Sequence, residues 1–204
     1  MAIRFIFDLD GTVTATESLP LIAAHFGVEE DIAGLTAETV AGDLPFEESL
    51  TRRVEVLGAF SVAEVRALVA GMPVLPLVLA FIQARREACV IATGNLDVWI
   101  ADLARRIGCE VWSSTARVAG DRVVGIARIL DKSDVVETYR REGHRVVFVG
   151  DGHNDLGAMQ RADIAIATGV VHPPPPAVLD ACDHAVTRED ALVALLEEIE
   201  ARGV

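Results

Sequence analysis

The opening twelve residues constrain this chain more than any other stretch. Residues 3–7, Ile-Arg-Phe-Ile-Phe, are mostly apolar and β-favouring, and they run straight into Asp8-Leu9-Asp10-Gly11-Thr12. A buried parallel strand ends at a loop in this way, and in open α/β sheets function gathers at such ends. Asp8 and Asp10 lie two apart, so their side chains leave an extended backbone on the same side, while Gly11 lets the chain turn sharply. Two carboxylates held together repel unless a cation lies between them. The competing reading is a strand followed by an ordinary Asp-Gly turn.

Beyond Thr12 the chain reads in two parts. Up to about Gly71 the pattern is helical, with helices expected from Glu17 to near Gly27, over 29–42, from Phe46, and over 62–69. On the third of these, Phe46, Leu50, Arg53 and Leu57 recur at spacings of four, three and four, which sets Arg53 inside an apolar stripe. Arg52 lies about 100° round the helix and reads as solvated. From Pro76 helices and strands alternate, the signature of a parallel sheet covered on both faces. Helices are expected near 77–86, 96–107, 132–142, 156–161 and 189–201. Strands are expected at 89–92, 110–112, 145–149, 164–167 and 182–186, with a hairpin of 115–118 and 122–126 turned by Gly120-Asp121. Residues 173–176 are all proline and read as a stiff spacer. The expected fold is α/β, a Rossmann-like doubly wound parallel sheet formed by 1–13 and 74–204, with an all-helical cap inserted at 14–73.

A chain of 204 residues, 51% hydrophobic, can bury the core of one such domain and a smaller insertion. No apolar run approaches the roughly eighteen residues of a membrane span, and the N-terminal apolar stretch meets Asp8 too soon for a signal peptide. The expectation is a cytoplasmic protein with no membrane partner, as a monomer or homodimer. Cys89, Cys109 and Cys182 show no CxxC spacing and read as core residues, not a disulfide framework or zinc site. A formal net charge of -13 argues against a nucleic-acid partner. It also demands a local answer for any anionic substrate.

Three predicted strand ends carry polar residues: Asp8 with Asp10, Thr93, and Asp151 with Asp155. In a parallel sheet these ends line one edge, where residues far apart in sequence meet. Asp8, Asp10 and Asp151 offer hard oxygen ligands of the kind Mg²⁺ takes, and no Cys or His cluster accompanies them to suit zinc. Clustered aspartates would repel any anionic substrate strongly, since two unit charges about 4 Å apart interact by roughly 4 kcal/mol at an effective dielectric of about 20. A divalent cation offsets that; one lysine does not.

With these residues together, the chain resembles the haloacid dehalogenase superfamily of phosphohydrolases. FDLDGT at 7–12, ATG with Thr93, Lys132, and GDGHND at 150–155 match its four motifs in order. The helical insertion is similar to the family's small cap, and Glu17 with FEESLTRRV at 46–54 resembles the phosphoserine phosphatase branch. The chain departs from that branch at Thr93-Gly94-Asn95, where the branch carries Ser-Gly-Gly, and at 172–176, which replaces a shorter turn. The resemblance implies that Asp8 is the nucleophile, forming an aspartyl phosphate, and that Asp10 is the general acid and base. It implies Mg²⁺ held by Asp8, the backbone carbonyl of Asp10 and Asp151, with Asp155 supporting it through waters. Thr93 and Lys132 would meet the phosphoryl oxygens, with Gly94 and Asn154 as further contacts.

The expected partner is a small phosphorylated metabolite, foremost O-phosphoserine. Glu17 suits an ammonium, Arg53 a carboxylate, and Phe46 can close the pocket. The alternatives are a broad small-molecule phosphatase, a phosphotransferase, and a non-catalytic phosphometabolite-binding protein. His153 reads as a bystander in its loop, and His25, His144, His172 and His184 show no visible partners.

Overall fold

The computed structural model describes residues 2–41 and 44–203, so the expected helix end at Gly42 lies outside the described residues. In chain order the elements are β1 (Ile3–Phe7), α1 (Ser18–Phe26), α2 (Glu29–Ala41), α3 (Phe46–Leu57), α4 (Val62–Ala70), α5 (Pro76–Ala84), β2 (Cys89–Leu96) and α6 (Asp97–Ile107). There follow β3 (Glu110–Ala119), β4 (Arg122–Arg128), α7 (Lys132–Arg141) and β5 (Arg145–Gly150). A 3-10 turn (His153–Asp155) runs into α8 (Leu156–Met159), and the chain closes with β6 (Ile164–Thr168), α9 (Pro176–Ala181), β7 (His184–Val186) and α10 (Glu189–Arg202).

The seven strands form one sheet in the order β4-β3-β2-β1-β5-β6-β7, with β1 at its centre. Every neighbouring pair is parallel except β3 with β4. The two faces follow from side-chain alternation along the strands. Phe5, Phe7, Ile91, Val147 and Val149 join the cluster that α5, α6 and α10 cover. Ile6, Val90, Val146 and Phe148 join Val135, Val136 and Tyr139 of α7 on the other face. With both faces covered, the strands carry near-continuous apolar runs, as a parallel sheet requires.

Register fixes where the polar ends emerge. Phe7 lies opposite Ile91 on one side and Val149 on the other, and the Asp8 amide donates to the Val149 carbonyl at 2.9 Å. Asp8 therefore leaves the sheet beside the strand that delivers Asp151, at the point where the strand order switches sides.

The helical run between β1 and α5 is closed at its base by a short neck. Thr14 bridges Val74, the Ala15 amide donates to the Pro73 carbonyl at 2.9 Å, and the Leu75 amide donates to the Val13 carbonyl at 2.9 Å. Helix α4 is also fastened to the sheet layer. At the tip of the β3–β4 hairpin, the Asp121 carbonyl accepts the Val62 amide at 2.9 Å and its carboxylate accepts the Ala63 amide at 3.2 Å. Arg66 Nε donates to the Val98 carbonyl at 3.1 Å. No helix among the described residues is long and apolar enough to cross a membrane.

Several local expectations are corrected. The segments 110–112 and 115–118 are one strand, because β3 pairs parallel with β2 along its first half and antiparallel with β4 along its second. Pro176 is the first residue of α9, a helix the proline run concealed: proline suits a first helical turn, where no amide partner is needed. The helix expected over 156–161 is the single turn α8, preceded by the 3-10 turn. The strand expected over 182–186 begins at His184, and β2 runs on through Thr93-Gly94-Asn95 with a register shift between Thr93 and Leu96.

Candidate active site

Lys132 opens α7, whose N-cap Asp131 accepts the Ser133 amide at 2.9 Å. This start aims the lysine at the end of β1. Its Nζ stands 2.6 Å from Asp8 Oδ1 and 2.6 Å from Asp155 Oδ1, with the side chains of Lys132 and Asp155 only 2% and 0% exposed. Two of the three ammonium hydrogens are thus engaged and one remains for a further acceptor. Asp155 Oδ2 accepts the amides of Asp151 and Gly152, each at 3.0 Å. Gly150 makes that possible, because a Cβ there would sit 2.4 Å from Asp155 Oδ2. One buried carboxylate therefore braces the lysine and turns the 150–155 loop.

Burial lifts Asp8 well above the usual carboxylate range, with Asp155 and Asp151 adding to the lift against Lys132. Burial alone would lower the Lys132 ammonium, but Asp155 and Asp8 outweigh it and hold it above its ordinary value. Asp151, whose Oδ1 accepts the Thr12 hydroxyl at 2.9 Å, is pushed up to about 7 by burial, Asp155 and Glu17. A side chain on Gly11, at φ +74°, would put a Cβ 2.6 Å from Asp151 Oδ2, so glycine keeps that oxygen uncovered.

Asp8, Asp151 and Asp155 each offer an oxygen, all within 4.8 Å of one another. The donor set is all carboxylate, with Asp8 and Asp155 buried and Asp151 half-buried, and its members repel one another. It fits a hard divalent cation such as Mg²⁺ and lacks the nitrogen or sulfur donors that zinc favours.

Asp10 is anchored on the other side. Its Oδ1 accepts the Ser18 amide at 2.8 Å, which ties it to the first residue of α1, and its Oδ2 accepts from Asn95 Nδ2 at 3.3 Å. Burial raises its carboxyl, against the bonds from Ser18 and Asn95. Asn95 Nδ2 also donates to Ser18 Oγ at 2.5 Å, while Asn95 Oδ1 accepts the Leu96 amide at 2.8 Å. Thr93 is buried and its Oγ1 accepts the Asn95 amide at 3.1 Å, which leaves its own hydroxyl hydrogen free to point elsewhere.

The rim comes from the inserted helices. Glu17 occupies the N-cap position of α1 yet makes no side-chain capping bond. Its Oε1 instead stands 3.0 Å from where a Gly11 Cβ would be. The side chain keeps 39% of its surface open, but burial of the rest and the carboxylates of Asp10 and Asp8 push it up to about 8. Arg53, with Nη2 donating to Ser49 Oγ at 2.7 Å, lies on the buried side of α3 beside Leu50 and Leu57. Burial lowers its guanidinium and the field of Glu17 opposes that. The Phe46 ring lies against Gly94, where a Cβ would come 2.8 Å from Phe46 Cζ. Asn154 curls back on its own loop, its Oδ1 2.6 Å from where a Gly152 Cβ would be. His153 is exposed.

The profile of one family, the haloacid dehalogenase-like hydrolases, matches residues 5–160, from the middle of β1 through the 150–155 loop. The chain belongs to that family. Among similar proteins, a phosphoserine phosphatase of Vibrio cholerae is 30% identical over 175 residues, which is 79% of this chain and 53% of the relative. One from Halobacterium salinarum is 27% identical over 212 residues, 94% of this chain and 96% of the relative. The chain spans about half the length of the first curated relatives it matches. A solved phospho-aspartyl intermediate analogue of phosphoserine phosphatase superposes with a TM-score of 0.79 over 99% of each chain; at 23% identity this is a likeness of fold alone.

Within this haloacid dehalogenase-like chain, four residues at the site escaped sequence reasoning: Thr12, Ser18, Asn95 and His172. Thr12 ends the first motif and Asn95 directly follows Thr93-Gly94, so nearness to a motif was the available signal for both. Ser18 and His172 had none. His172, read as partnerless, has its Nε2 3.8 Å from Glu17 Oε1.

Proposed function

We propose that the chain is a Mg²⁺-dependent phosphomonoester hydrolase working through an aspartyl phosphate, with O-phosphoserine as its substrate in the cytoplasm. The observation that carries this reading is the convergence of Asp8, Asp151 and Asp155 on one point at the switch of the sheet, with Lys132 against Asp8. Mg²⁺ would be held by Asp8, the Asp10 carbonyl and Asp151, and when bound it supplies the positive charge that lets a phosphate approach these carboxylates. Asp155 would act behind it, since its oxygens already serve Lys132 and two amides.

The chain's own residues divide the remaining work. Asp8, its Oδ1 held by Lys132, attacks phosphorus through its other oxygen, and the phosphorus–oxygen bond to the leaving group breaks. Asp10, raised by burial so that it can carry a proton, delivers that proton to the departing alkoxide. It then takes a proton from the water that hydrolyses the acyl phosphate. The free Lys132 hydrogen and the Thr93 hydroxyl donate to the phosphoryl oxygens. Glu17 takes the substrate's ammonium, Arg53 its carboxylate, and Phe46 covers Gly94 as the helices of 14–73 act as a cap over the sheet domain.

The test is a panel of phosphate esters with wild type, Glu17→Ala and Arg53→Ala, with and without excess chelator. Chelation abolishes turnover of every ester and added Mg²⁺ restores it. Each alanine variant loses about 10- to 100-fold in kcat/KM for phosphoserine, the worth of a charged hydrogen bond, and much less for an aryl phosphate. Equal losses on both esters would remove phosphoserine from the reading.

A further inference from the structure

Glu17 is surrounded by charges of its own sign. Its carboxylate overhangs Gly11 beside Asp151, and the fields of Asp10 and Asp8 also oppose its ionisation. Such a group swings outward unless something holds it. One partner is the field of Arg53 on α3. The other arrives from a different part of the fold, the segment 169–175 between β6 and α9.

That segment is pinned on both sides of His172. Upstream, the Gly169 amide donates to the Val186 carbonyl at 2.7 Å, and the Val170 amide to Thr168 Oγ1 at 3.4 Å. Val170 and Val171 pack against the main core. Downstream, Pro173 holds its predecessor in extended backbone, and Pro174 folds back so that its Cδ lies 3.0 Å from where a Gly169 Cβ would stand. The Pro175 carbonyl accepts the Val178 amide at 2.9 Å, which fixes the start of α9. The imidazole is thus presented from a stiff support with little backbone freedom left to lose. Its Nε2 stands 3.8 Å from Glu17 Oε1, with 54% of its side chain open to solvent.

We infer that His172 is a positioning residue for specificity: held by the proline-braced loop, it keeps the Glu17 carboxylate turned into the site, where an ammonium-bearing phosphate ester docks. This rests on the reading of Glu17 as the ammonium receptor. It gives the 172–176 insertion a purpose in substrate choice. It also joins the sheet domain to the rim at a point remote from the neck.

The test compares wild type, His172→Ala, His172→Gln, Glu17→Gln and the double variant His172→Ala/Glu17→Gln on phosphoserine and an aryl phosphate. His172→Ala lowers the ratio of kcat/KM for phosphoserine over aryl phosphate by about three- to fivefold, the scale of a half-exposed polar contact, and the loss falls on KM. His172→Gln, which keeps a donor, recovers most of it. In the Glu17→Gln background the His172 change adds nothing, because it acts through Glu17. An unchanged ratio in His172→Ala, equal losses on both esters, or full additivity in the double variant overturns the role of His172. If Glu17→Gln itself leaves the ratio unchanged, the ammonium reading falls as well, so the two failures are told apart.

Discussion

The Asp8–Lys132–Asp155 centre and the Glu17–Arg53–His172 rim hold their charges in opposite ways. At the centre, each group is buried and bonded to the next at 2.6 Å, and the glycines at 11 and 150 make room for carboxylate oxygens. At the rim, the Glu17–His172 contact lengthens to 3.8 Å, both of these side chains stay partly in water, and Glu17, Arg53 and His172 come from three different parts of the chain. Charge pairing in a dry interior belongs to the fold itself, whereas pairing in water contributes little to stability and can change with substrate. On the proposed reading, the chemistry is built into the sheet and selectivity is laid over it.

Three experiments test that contrast. The largest effect is expected at the proposed nucleophile: Asp8→Asn should lose more than about 10⁴-fold in kcat and all covalent phosphate labelling, as removal of a nucleophile does elsewhere. Labelling that persists would move the nucleophile off β1. Next, Lys132→Met leaves two buried carboxylates without their cation and should cost about 3 kcal/mol or more in urea unfolding. Glu17→Ala should cost under about 0.5 kcal/mol, since it removes a group repelled by its neighbours. Similar costs at the two sites would erase the distinction between centre and rim.

The smallest effect concerns pH. Asp151 has its folded value raised from 3.8 to about 7, so between those values the folded chain binds the extra proton. The sign follows: its destabilising contribution is absent below the unfolded value, grows as pH rises through this window, and is complete above about 7. Metal-free protein should therefore melt at a lower temperature at pH 8 than at pH 5. Asp151→Asn should flatten that slope, and Mg²⁺ at pH 8 should raise the melting temperature of wild type. A wild-type slope unaffected by Asp151→Asn would mean that other groups set it.

Much of the centre was legible because its chemistry is written in contiguous runs. The stretch 7–12 joins a strand's apolar period to two carboxylates and a glycine, and 150–155 repeats the arrangement. Helix α3 was legible for a related reason, its stripe at Phe46, Leu50, Arg53 and Leu57 having the helical period. What escaped depends on approaches that no local pattern encodes. Asn95 reaches Ser18 across 77 positions and Asp10 across 85. The four prolines hid both the start of α9 and the loop they brace, because proline is read locally as a spacer while its rigidity acts on neighbours.

Local period and residue chemistry were enough to place the alternating strands and helices, the run of helices between β1 and β2, and the polar groups at the strand ends. The folded arrangement was needed to show which of those groups share a hydrogen bond, that Asp155 is spent on bracing Lys132, and that a histidine 155 positions away stands beside Glu17. These depend on strand order and register, which bring distant residues together through space and leave no mark at either position alone.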